Sequence, residues 1–253
     1  MQPSVYVTGQ IALILIVLGI LSMLLYGLRY ALGGLRIGKA KRRTLIRFTI
    51  AGLILWLTIL ALVVASGYFE EGKEMPFRLL TAVLPPVIVI IVLLFSKKLR
   101  LVLLMIPSSW LIYAQTFRIL TELTYWLGYR GGYIPPQMTF EWLNYDIIVG
   151  VTAPMAGYVF FGRGRFHRFQ AVYWNIFGIA LLLNTMVIAI FSMPSSLRVF
   201  FTDVNSSFMT KFPFIWIPGF VVPFALALHL FSLKQLFLTK RPQRQFGLRR
   251  KNN

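Results

Sequence analysis

The sequence predicts an all-α integral membrane protein, a seven-transmembrane helix bundle with its N-terminus outside and its C-terminus in the cytoplasm. Three observations carry that prediction. Hydrophobic residues make up 58% of the 253 and charged residues only 13%, against about 25% charged in a soluble domain. Seven continuous apolar stretches approach or exceed the length of about 20 residues needed to cross a bilayer core. The loops between them alternate between rich and poor in Lys and Arg.

The spans read as 10–28, 48–68, 79–96, 101–126, 146–162, 171–192 and 213–233, within a transmembrane domain of residues 1–238, followed by a basic tail, 239–253. The first is a start-transfer helix and not a cleavable leader. Met1 to Gln10 carries no Lys or Arg, and the positive cluster follows the apolar run, the reverse of a secretory signal. The runs are continuous and not alternating, which favours helices over barrel strands. The fourth is the longest and the fifth the shortest. Pro85, Pro86, Pro107, Pro154, Pro218 and Pro223 fall inside spans, where each removes a backbone donor.

Orientation follows from charge. Of the 26 Lys and Arg, 20 lie after spans one, three, five and seven, five lie on the opposite side, and Arg118 is inside span four. The positive-inside rule assigns the 20 to the cytoplasm. All seven acids fall in outer loops or at the outer ends of spans. The net charge of +19 is then a topology signal, and no recognition motif accompanies it to suggest nucleic acid. The partner is the lipid bilayer, with anionic lipid as a further fit for the tail.

Several activities are excluded or unsupported. With no cysteine, disulfides and thiolate metal sites are impossible. No span contains the Lys a retinal protein needs. Two histidines at different depths make no haem pair or zinc triad. Gly33 to Lys39 has the spacing of a phosphate loop, but Ala40 replaces its Ser or Thr and no strand precedes it. Asn205-Ser206-Ser207 matches a glycosylation pattern that is common by chance. No cofactor and no metal are implied.

What needs a reason is the polarity inside the spans. Gln115, Arg118 and Glu122 share an arc of about 60° on one helix face. Arg118 lies 18 residues beyond Arg100, roughly 27 Å up a straight helix. An intramembrane Arg costs at least about 2.5–3.5 kcal/mol at the bilayer centre and normally faces the bundle with a partner. Glu122, Glu141 and Asp146 are the candidate partners. Asn144 and Asp146 also read as cap and first-turn acid of span five. Asn184 in span six is at a height to join them. His229 and Asn175 lie near the inner end, too deep for Arg118, and suit a hydrogen bond to each other. Tyr125, Trp126, Tyr129, Tyr133, Trp142 and Tyr145 gather at the outer end of spans four and five, as in an interfacial aromatic belt.

Gln115-Thr-Phe-Arg118 through Glu122, Met138-Thr-Phe-Glu141, Asn144-Tyr-Asp146-Ile and Gly150-Val-Thr152-Ala-Pro154 resemble a group of uncharacterised multipass bacterial membrane proteins. The resemblance continues more weakly through Trp174-Asn175, Phe212-Pro213, Pro218, Pro223 and His229, so that it spans mainly 115–230. It implies the cytoplasmic (inner) membrane of a bacterium and no mechanism.

The leading expectation is therefore an outward-facing pocket made of Gln115, Arg118, Glu122, Glu141, Asn144, Asp146 and Asn184. It would bind an unknown small polar or anionic molecule, as in a permease or a sensor. Arg118 would be the anion contact, because its guanidinium can grip a carboxylate with two bonds. The alternatives are a membrane-embedded enzyme acting on a lipid or isoprenoid, with one of the acids as general acid or base, and a structural or assembly subunit.

Overall fold

The computed structural model describes residues 2–69 and 74–239. Glu70, Glu71, Lys73 and the basic tail beyond Thr239 lie outside them. Nine α-helices are found among the described residues, and no strand. They are α1 (Pro3–Gly34), α2 (Lys39–Ala65), α3 (Met75–Phe95), α4 (Lys97–Met105), α5 (Ser108–Tyr113), α6 (Phe117–Arg130), α7 (Ile147–Phe161), α8 (Arg168–Phe191) and α9 (Val222–Leu238). Six helices are long and apolar enough to cross a membrane, and a bent pair makes up to seven. Large apolar side chains cover the outside, with Phe48, Phe95, Phe169 and Tyr173 all exposed.

The fourth predicted span is not one straight helix. Lys97–Met105 and Ser108–Arg130 meet at 96°. Pro107 sits at the break, where it can supply no N–H to the Leu103 carbonyl four residues back. Gln235 of α9 answers this: its buried Nε2 donates to Leu103 O at 2.5 Å and Ile106 O at 2.6 Å. Ser96 starts α4 as an N-cap, accepting from the Lys98 amide at 3.1 Å. A three-residue 3₁₀ turn, Ala114–Thr116, joins α5 to α6.

The last span solves a second proline in the same way. A π-helical turn, Ile217–Val221, leads into α9. Pro223 cannot donate to Gly219 O, and the Trp56 indole N–H of α2 takes that carbonyl at 2.8 Å. Trp216 returns the favour, donating to Leu57 O at 3.1 Å. α9 is central, packing on α8, α5, α3 and α4, while α1 packs on α6 and α4.

Candidate functional site

Arg118 rises from the first turn of α6 and is 1% exposed. Its Nε donates to Asp146 Oδ2 at 2.6 Å and its Nη2 pairs with Asp146 Oδ1, a two-pronged grip on one carboxylate. Its Nη1 lies 3.0 Å from His229 Nε2. All three guanidinium nitrogens are thus engaged. Asp146 stands at the entry to α7 without capping it, because its carboxylate is turned to Arg118.

The direction of each bond follows. Arg can only donate, so His229 Nε2 accepts and the ring proton sits on Nδ1. Nδ1 then donates to Asn175 Oδ1 at 3.0 Å. The Asn175 amide nitrogen donates onward to Ala171 O at 2.7 Å and Ser232 Oγ at 3.0 Å. The imidazole is neutral in this arrangement. Gly178 makes room for it: a Cβ there would lie 2.3 Å from His229 Cε1. Gly150 similarly lets α7 approach the α6 backbone, since its Cβ would meet Ile119 N at 2.8 Å.

A second branch runs from Glu122, one turn further along α6. Its Oε2 accepts from Asn144 Nδ2 at 2.8 Å, and Asn144 Nδ2 also donates to Met138 O at 3.0 Å. Asn144 Oδ1 accepts from the Asp146 amide at 3.2 Å and from Thr185 Oγ1 at 2.6 Å. Arg118, Glu122, Asp146 and Thr185 border a void of about 20 Å³. Roughly 10–15 Å³ measured this way holds one water.

His229 corrects the depth expected from the sequence. It was placed too far inward to reach Arg118, on the premise that span four climbs straight from Arg100. Because the chain turns through 96° before Ser108, α4 adds no height along α6. Arg118 is ten residues past Ser108, about 15 Å along the axis. His229 is nine residues before Leu238, where α9 ends, or about 14 Å. The two heights coincide.

Three of the expected site residues lie elsewhere. Glu141 is exposed and accepts from Trp126 Nε1 at 2.7 Å and Arg130 Nη2 at 3.1 Å. Asn184 donates to Leu143 O at 2.8 Å and ties α8 to the turn before α7. Gln115 is buried and donates to Ala225 O at 3.1 Å, fastening the 3₁₀ turn to α9. Conversely Thr185, Asn175, Ser232 and Gly178 join the cluster or shape it without having been expected there. Among the described residues no group of three or more His, Asp or Glu is placed to hold a metal.

The cluster falls inside a recognisable family segment. Residues 75–237 match the family model described as "Domain of unknown function (DUF8737)". The chain belongs to that family. The DUF8737 segment begins at the first residue of α3 and ends one residue before the end of α9. It contains Arg118, Asp146, His229, Asn175, Glu122 and Asn144, and leaves α1 and α2 outside. No curated protein and no solved structure matches the chain.

Proposed function

We propose that this is a seven-span protein of a bacterial inner membrane, with the bent pair as one span and the N-terminus outside, serving as a structural or assembly subunit. In this reading the Arg118–Asp146–His229–Asn175 cluster is an ionic clamp that holds α6, α7, α8 and α9 in one arrangement. The observation that carries it is that each guanidinium nitrogen of Arg118 is already held by Asp146 or His229, beside a void of only about 20 Å³. Small-molecule pockets run from roughly 300 Å³ upward. A ligand that took Arg118 as its anion contact would have to displace Asp146 and open the clamp first. Membrane insertion is supported by the exposed apolar surface of the long helices and orientation by the charge split.

The test uses three variants in purified protein and in cells lacking the native copy. Arg118→Met alone strands a buried carboxylate and is expected to cost about 3–5 kcal/mol. Arg118→Met with Asp146→Leu should recover most of that stability and fully restore the phenotype. A double variant that is as stable as wild type yet fails to complement would sink the structural reading. Orientation is tested separately, by impermeant labelling of Phe201→Cys from outside and of Lys41→Cys from inside only.

A further inference from the structure

Away from the clamp, a cavity lies between the N-terminal turn of α1 and two loops. It is a cleft of about 240 Å³ bordered by Tyr6, Tyr133, Asp203, Asn205, Ser207 and Lys211. We propose that it is a binding site for a small zwitterion of the α-amino-acid class.

The walls are built rather than incidental. Tyr6 and Tyr133 meet edge to face with centroids 5.0 Å apart, and Tyr133 packs on Phe214 at 5.8 Å and Phe208 at 6.4 Å. Tyr133 is 5% exposed, and its hydroxyl has no hydrogen-bond partner among the described residues. That hydroxyl points at Gly9 of α1, where a Cβ would strike it, so Tyr133 offers the cleft its ring and not its polar end. Asn205 is held by accepting from the Ser207 amide at 2.9 Å. Its amide is fixed by that bond at the border of the cleft.

Charge selects the ligand class. Asp203 and Lys211 both border the cleft, and neither forms an ion pair among the described residues. A simple anion would gain Lys211 but face Asp203, and a simple cation would meet the reverse. A molecule carrying both charges satisfies both. Its carboxylate would meet Lys211 and the Asn205 amide, and its ammonium would meet Asp203 and the tyrosine faces. The volume admits a ligand of a few heavy atoms and excludes a peptide.

The proposal is independent of the clamp and of orientation. Purified full-length protein in lipid nanodiscs is titrated with a panel of free α-amino acids, and with acetate, methylamine and glucose as controls. At least one amino acid should bind saturably, with acetate and methylamine at least about tenfold weaker. Lys211→Met and Asp203→Asn should each weaken that amino acid about tenfold while leaving the melting temperature of the ligand-free protein unchanged. Failure of every amino acid to bind, binding of glucose as tight as the best amino acid, or binding indifferent to both substitutions would overturn it.

Discussion

The two N-terminal helices carry the most apolar stretches of the molecule, and they and the DUF8737 segment are built on different terms. The most hydrophobic stretch of α2 is only 11% buried within the fold, whereas that of Ile217–Leu238 is 50% buried. α2 buries just Leu57 and Leu60, while α9 buries His229, Ser232 and Gln235 beside its apolar residues. The glycines differ in the same sense. A Cβ at Gly19, Gly27 or Gly52 would meet nothing within 4 Å, whereas one at Gly150, Gly157, Gly178 or Gly219, or at Gly9 and Gly34 where α1 meets the family segment, would strike a neighbour at under 3 Å. Hydropathy alone is enough to make a helix that faces lipid. A helix that faces other helices needs small residues at close approaches and polar pairs that fix its partners.

That contrast can be broken or sharpened by substitution, in falling order of effect. Gln235→Leu leaves the Leu103 and Ile106 carbonyls buried without their donor, at about 1–3 kcal/mol each. The expected readout is a large fall in thermal stability and loss of the fixed angle between α4 and α5, visible as lengthened distances between spin labels on those helices. A stable variant with unchanged label distances would show that Pro107 alone sets the break. Gly178→Ala pushes a methyl into the His229 ring, and overpacking of this kind costs typically about 1–3 kcal/mol. Combining it with His229→Ala should cost less than the sum of the two single effects, because the clash is gone. Trp56→Phe removes the one indole donor that α2 lends to Gly219 O and should cost about 1 kcal/mol. It is the test of whether α2 is fastened by that bond or merely lies against α1. Gly52→Ala, at an open position in α2, should be neutral or stabilise by about 0.5–1 kcal/mol. A clear loss of stability at Gly52 would mean that α2 packs on something beyond this chain.

The unequal legibility of the two regions in the sequence has the same origin. Helices with an exposed apolar surface announce themselves by hydropathy, so α1, α2 and α3 lie close to the stretches read from composition. Their ends differ by up to nine residues, because polar flanks such as Lys39 to Arg47 continue α2 beyond the apolar run. In the polar cluster, the 3.6 periodicity brought Arg118 and Glu122 to one face, and Asp146 emerged among the candidate partners. Charge alone did not separate the neighbouring acid Glu141 from Asp146 as a partner for Arg118. What separated them was the turn at Thr139 to Asn144, closed by the Asn144 amide N–H on the Thr139 carbonyl at 3.2 Å. The depth of His229 failed for a definable reason. Residue counting along an axis holds only while the axis is continuous, and the warning was present in Pro107 and in the excessive length of span four.

The order of donors and acceptors around Arg118 has one more effect. From Arg118 through His229 and Asn175 to Ala171 and Ser232, every N–H points the same way. A row of polar groups within a membrane protein is a potential leak for the proton gradient, since protons hop along bonds that can reverse. This row cannot reverse at its head. A guanidinium has no lone pair to accept a proton and holds its own at any physiological pH. The permanent cation also repels an incoming proton, as an Arg does in water-selective pores. The same side chain that ties four helices together would therefore keep the thread between them electrically insulated.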